Sequence, residues 1–214
     1  IGEQTGATVG YLTEAANTVG AQWVQAQPQK DGKNAGEMLT GAIKAAILLN
    51  TEPAFDAAAG AKGLEQADMV ITLSPFKANL DISDVLLPVA PFTETSGTFV
   101  NAEGRVQSFH AVVKPLGETR PAWTVLRVLA NLLELPGFDY ESSQDVLTAA
   151  IGAETKEVPS ALRSNITKVA AKVPENEAAE PVTASIYQLD GIVRRATSLQ
   201  LTADARLARE GGAA

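Results

Sequence analysis

Three short apolar runs constrain this chain more than any other feature: "KAAILLN" at 44–50, "DMVITL" at 68–73 and "SDVLLPV" at 83–89. Each has the length of a strand, and the run at 44–50 lacks polar alternation, so it reads as a strand buried on both faces. Helix-like segments lie between and before them. "YLTEAANTV" (11–19) carries Leu12, Ala15, Ala16 and Val19 at helical spacing, with Gly20 as its stop and "AQWVQA" as a short strand candidate. "NAGEMLTGAI" (34–43) sets Met38, Leu39, Ala42 and Ile43 on one helical face, and a weaker alanine-rich helix runs through Leu64 and Ala67. Apolar strands separated by crossovers predict an α/β domain: a parallel, Rossmann-like sheet with helices on both faces. Ligands of such sheets gather at the carboxyl ends of the strands. Those ends are "NTEP" (50–53), "LSPFKANLD" (73–81) and the polar tract "FTETSGTFVNAEGRVQSF" (92–109).

After the sheet, "ETRPAWTVLRVLANLLELPG" (118–137) predicts a helix with Trp123, Leu126, Leu129, Ala130 and Leu133 as its buried stripe, Pro121 in its first turn and Pro136-Gly137 as its stop. "SSQDVLTAAIG" (142–152) predicts a second helix, opened by a Ser142–Asp145 capping pair and closed by Gly152. Residues 153–185, rich in Ala, Glu, Pro and Lys, read as a linker or loosely packed arm. Residues 186–214 read as a helical tail, with Ile186, Leu189, Val193, Ala196 and Leu199 at helical spacing beside Arg194 and Arg195. That stripe either docks back on the 1–152 domain or meets a partner, for which Arg194 and Arg195 are the candidate contacts.

Composition removes several function classes. The chain has 214 residues, 17 basic against 25 acidic, for a net charge of -8, with the basic residues scattered. A nucleic-acid footprint is therefore missing. With no cysteine and a single histidine, His110, the chain carries no disulfide, iron–sulfur or zinc–thiolate ligands and no paired-histidine metal motif. The dinucleotide and Walker phosphate loops are absent, and His110 has no catalytic partner pattern. The sequon at Asn165–Thr167 is read as chance, and the start at Ile1 as the edge of a piece of a longer polypeptide. No apolar stretch nears the roughly 20 residues that span a bilayer, so a soluble, cytoplasmic protein is expected.

The polar tract predicts a hairpin, with "TFV" and "VQSF" as strands and "NAEG" as a type I turn. Gly97 is expected at a positive-φ bend, and Arg105 is expected to pair with Glu94 or Glu103. Its alternative role is a polar wall at the mouth of a ligand cleft.

Here the residues resemble a known family. "SDVLLPVAPFTETSGTFVNAEGRVQ" is similar to the segment of molybdopterin-type oxidoreductases in which an A-D-V-V-L-P strand precedes E-x-x-G-T-x-x-N-x-E-G-R-x-Q. Glu94, Gly97, Thr98, Asn101, Glu103, Gly104, Arg105 and Gln107 fit that pattern position by position. "EAANTVGA" resembles the family's N-x-x-G-A segment, "AAILLNTEP" its strand ending in N-x-x-P, and "PAWTVLRVLANLL" its W-x-[IV]-[LI]-x-x-L-A helix. The tail "IYQLDGIVRRATSLQLTADA" resembles that of the iron–sulfur G subunit of the proton-pumping NADH:quinone oxidoreductase, respiratory complex I. The resemblance implies a non-catalytic scaffold on the cytoplasmic side of the inner membrane, with no cofactor in this segment. Its implied partners are the other complex I subunits and N-terminal iron–sulfur domains of the same polypeptide. The motif residues would then maintain the fold rather than bind cofactor. The alternative is a fragment of an active molybdopterin-dependent enzyme such as a formate dehydrogenase.

Overall fold

A computed structural model describes residues 2–7, 13, 15–58, 60–160 and 185–211. Its centre is a parallel sheet of three strands, β1 (Ala45–Leu49), β2 (Met69–Ser74) and β3 (Val85–Pro88), in the order β1-β2-β3. Leu48 lies opposite Thr72, and Leu73 opposite Leu49 and Leu87. The α/β class and parallel pairing expected from the three apolar runs are what the backbone adopts. β2 is flanked on both sides and is the most deeply buried strand: Val70, Thr72 and Leu73 are 2%, 0% and 1% exposed.

The two faces of the sheet differ. On one, Leu48 and Val70 join Leu64 in a core packed by Leu39, Ile43, Ala46, Ala61, Ala67 and Ile82. Leu39 comes from α3 (Ala35–Thr40), whose capping box joins Asn34 to Glu37. Leu64 ends a 3-10 turn at Lys62–Leu64, shorter than the helix expected there. On the other face, Ile71, Leu73 and Leu87 share an apolar cavity of about 420 Å3 with Val125, Val128 and Leu129 of α5 (Ala122–Leu132). β1 is not buried on both faces as its composition suggested. It is an edge strand among the described residues, and Ile47 and Leu49 stay 48% and 39% exposed. The stripe of α5 is likewise only partly covered: Ala130 is buried, whereas Leu133 is exposed, and Pro121 stands at the N-cap rather than inside the first turn.

The N-terminal region departs most from its sequence pattern. A single turn, α1 (Gly2–Thr5), precedes α2 (Thr18–Trp23). Gly20 lies inside α2 instead of ending it, and the expected strand at 21–26 is helix and turn. The helix closes with the Ala26 N–H on the Ala21 carbonyl and Gln25 at φ 58, the hydrogen-bond pattern of a Schellman cap. Tyr11, Leu12 and Glu14 of the expected helix lie outside the described residues.

β4 (Gly97–Val100) and β5 (Val106–Phe109) form the antiparallel hairpin, separate from the main sheet. The free edge of β5 is met by the chain beyond α6 (Ser143–Ile151). The Val106 N–H donates to the Lys156 carbonyl and the Val158 N–H to the Gly104 carbonyl, and Val158 is buried. The start of the expected linker is thus packed; residues 161–184, including the sequon, lie outside the described residues. The tail is not one helix. It breaks into α7 (Ile186–Leu189), a 3-10 turn at Val193–Arg195, α8 (Thr197–Gln200) and α9 (Ala203–Gly211). The break follows from Asp190, whose Oδ1 accepts the Ile192 and Val193 N–H groups and starts a new turn. Among the described residues no helix is long and apolar enough to cross a membrane.

Candidate functional site

The motif residues of the hairpin are held by local bonding. Glu94 follows Pro91 in a 3-10 turn at Phe92–Glu94, and its Oε2 accepts the Leu116 N–H at 2.9 Å. That contact replaces the expected pair with Arg105, and among the described residues Glu103 forms none with Arg105 either. The Asn101 Oδ1 accepts the Glu103 and Arg105 N–H groups at 3.1 and 2.9 Å, while the Gly104 N–H donates to the Asn101 carbonyl. This is the expected type I turn, and Gly104 supplies its left-handed residue at φ 85. Thr98 and Ser108 hydroxyls meet across the strands at 2.9 Å.

Gly97 is required for a different reason from the one its sequence context suggested. Its φ is not positive; a Cβ there would stand 2.7 Å from the Phe109 ring, which packs edge-on against Phe99. Glu103, Arg105 and Gln107 are exposed, whereas Gly97 and Thr98 line a cavity. That cavity, about 260 Å3, is walled mainly by Trp23, Trp123, Val146 and Leu147. His110 is exposed and lies beside no cluster of metal-ligating groups among the described residues.

Asn17, the asparagine of the N-x-x-G-A segment, ties this hairpin to the rest of the domain, a role the sequence did not state. Its Oδ1 accepts the Val100 N–H at 2.8 Å, across 83 residues. Gly20 makes room for it, since a Cβ at Gly20 would collide with that oxygen. The signal was the N-x-x-G spacing itself, one helical turn.

The second assembly lies at the carboxyl ends of β1 and β2. Glu52 precedes α4 (Pro53–Asp56), and the Asp56 Oδ2 accepts the Glu52 N–H at 2.6 Å. Asn79 donates to the Thr51 carbonyl and to the Thr72 hydroxyl, which also bonds Ser83. Onto this rim the tail brings its arginines. Arg195 grips Glu52 with both terminal nitrogens at 2.8 and 2.9 Å, and the Arg194 Nη2 donates to the Asp56 Oδ1 at 2.7 Å. The tail thus docks on the domain through its arginines, while Ile186, Leu189 and Leu199 of the apolar stripe stay exposed. A cavity of about 300 Å3 remains beneath, lined by Asn50, Ser74, Phe76, Phe92, Ile192 and Arg194 among others.

A model of the family described as molybdopterin oxidoreductase matches residues 1–132, more than half of the chain. The chain belongs to the molybdopterin oxidoreductase family. A Staphylococcus aureus relative named "Putative formate dehydrogenase" is 38% identical over 77 residues, 36% of this chain and 8% of that protein. The Bacillus subtilis relative "Probable oxidoreductase YjgC" is 40% identical over 70 residues, 33% of this chain and 7% of that protein. The matched region is thus a small part of these relatives' length. Acetylene hydratase from Pelobacter acetylenicus superposes with a TM-score of 0.45 at 19% identity, over 57% of this chain and 18% of that one.

Family membership raises the question of a molybdopterin, a phosphate-bearing group. The crevice does not suit it. Glu52, Asp56 and Asp190 line the remaining cavity against Arg194, whose charge is already opposed by Asp56. A phosphate there would have to compete with Glu52 and Asp56 for the arginines they already hold, and would face the Asp190 carboxylate as well. About 300 Å3 is also the low end of ligand-pocket sizes, roughly 300–1,000 Å3.

Proposed function

We propose that this chain is a non-catalytic α/β scaffold segment of the iron–sulfur G subunit of a proton-pumping NADH:quinone oxidoreductase, supporting electron transfer from NADH to quinone. The observation that carries the scaffold role is the use of the motif's polar atoms. Glu94 and Asn101 commit their side-chain oxygens to the chain's own N–H groups at Leu116, Glu103 and Arg105. The tail, similar to that of the G subunit over residues 186–205, supports the finer assignment. In this reading the segment packs against iron–sulfur domains and neighbouring subunits in the peripheral arm, on the cytoplasmic side of the inner membrane. Arg194 and Arg195 then act within the chain, and any partner meets other faces of the tail.

Purifying the chain from molybdate- and tungstate-supplemented cells, and measuring metal by mass spectrometry and pterin by fluorescence, tests the role. Far less than one equivalent of either is expected; a stoichiometric amount of molybdenum or tungsten removes it. The named relatives favour a second reading, a fragment of an active molybdopterin-dependent oxidoreductase such as a formate dehydrogenase. Formate-dependent dye reduction by the full polypeptide that contains this chain would establish that reading over the scaffold.

A further inference from the structure

We propose that Glu52, Phe55, Asp56 and Phe76 form a receptor for the chain's own Arg194–Arg195 pair, and that this latch holds residues 185–200 as a plug over the carboxyl ends of β1 and β2. The plug stands where parallel sheets bind their ligands. Two adjacent arginines can serve two separate acids because they lie in a 3-10 turn, whose neighbouring side chains diverge by about 120°. Arg194 stacks over the Phe55 ring at 4.5 Å while bonding Asp56; Arg195 stacks over Phe76 at 4.3 Å while forking onto Glu52. Planar guanidinium groups suit both contacts at once. Each pair has one well-shielded member: Arg194 is 9% exposed against 25% for Asp56, and Glu52 13% against 30% for Arg195.

The turn that presents the arginines is itself braced. Asp190 caps it, the Gln200 Nε2 donates to the Tyr187 and Val193 carbonyls, and the Arg195 Nη1 donates to the Gly191 carbonyl. Apolar packing adds little to the hold, for Ile186, Leu189, Ile192 and Leu199 are 63%, 42%, 47% and 42% exposed. A segment held by charge over a sheet held by apolar burial opens before the sheet does. That difference makes the contact a releasable latch rather than part of the core. The proposal rests on side chains of this chain alone and stands under either reading of its function.

The absence of cysteine supplies the test. Ser74, 6% exposed at the end of β2, lines the same cavity as Gly191 and Ile192, so Ser74→Cys places one thiol beneath the plug. Its alkylation by N-ethylmaleimide is expected to be slow. Adding Arg194→Ala and Arg195→Ala should speed it at least about tenfold, as should Glu52→Gln with Asp56→Asn from the receptor side. The paired lysine variant should fall between, because an ammonium keeps the charge without the fork. Amide exchange of β2 should stay unchanged throughout. Equal alkylation rates with and without the arginines overturn the proposal. So does a faster rate accompanied by equal loss of protection in β2, which would mean that the whole domain had opened.

Discussion

Asn17 shows how one side chain can decide the placement of a distant element. Its amide oxygen satisfies the Val100 N–H, a group on a buried residue of β4. Asn17→Ala leaves that donor unpaired, at a cost of about 1–3 kcal/mol. Gly20→Ala is expected to cost a similar amount while leaving both bonding groups in the chain, because the added methyl displaces the Asn17 side chain and its acceptor oxygen from the Val100 N–H. The two losses should therefore not add: the double variant, measured by urea unfolding, should fall within about 0.5 kcal/mol of the larger single effect. Full additivity would show that Gly20 acts through something other than Asn17. The resemblance picked out the N-x-x-G-A spacing, but only the folded chain shows which backbone group the asparagine serves.

At the scale of elements, α6 is the one whose start and stop the sequence states outright. Ser142 caps it, accepting the Asp145 N–H at 3.1 Å, and the Asp145 Oδ2 accepts the Ser142 and Glu141 N–H groups. These bonds, led by the Ser142 side chain, hold the Asp145 carboxyl below the usual carboxylate range. A carboxylate with a depressed pKa stabilises the fold above its unfolded value, about 3.9, and loses that contribution as pH falls through the lower folded value. Amide protection in the first turn of α6 should thus be flat from neutral pH to about 4 and fall below it. In Asp145→Asn, that acid-dependent loss should vanish. Ser142→Ala should lower stability by about 0.5–2 kcal/mol at neutral pH, measured by thermal unfolding. The tail shows the opposite case. Its helical spacing is real, yet Asp190 diverts two N–H groups and breaks the helix at the point where the arginines must turn toward Glu52 and Asp56.

For the molecule as a whole, β2 is the element everything else leans on. Leu73, 1% exposed, sits between β1 and β3 and lines the cavity shared with α5. Leu73→Ala should cost about 2–5 kcal/mol. Hydrogen exchange should then accelerate together in β1, β2 and β3, whereas loss of the arginine latch accelerates exchange in residues 185–200 alone. Uniform acceleration in both variants would mean that the tail and the sheet form one cooperative unit.

The order of the strands' apolar runs, their parallel class, the hairpin turn at Asn101–Gly104 and the cap at Ser142 were all determined by the sequence, because each depends on periodicity or on a bond spanning four residues or fewer. Tertiary structure alone decided the rest. Residues 18–23 form a helix rather than the strand partly expected there, with Gly20 buried and Trp23 and Val24 lining the cavity against β4. Gly97 is fixed by a phenylalanine twelve residues away rather than by its own φ. Glu94 turned to Leu116, not Arg105. Arg194 and Arg195 found acids some 140 residues earlier. A local pattern records which face of an element avoids water. It does not record which distant donor, ring or carboxylate will lie opposite, since that follows from how the elements pack.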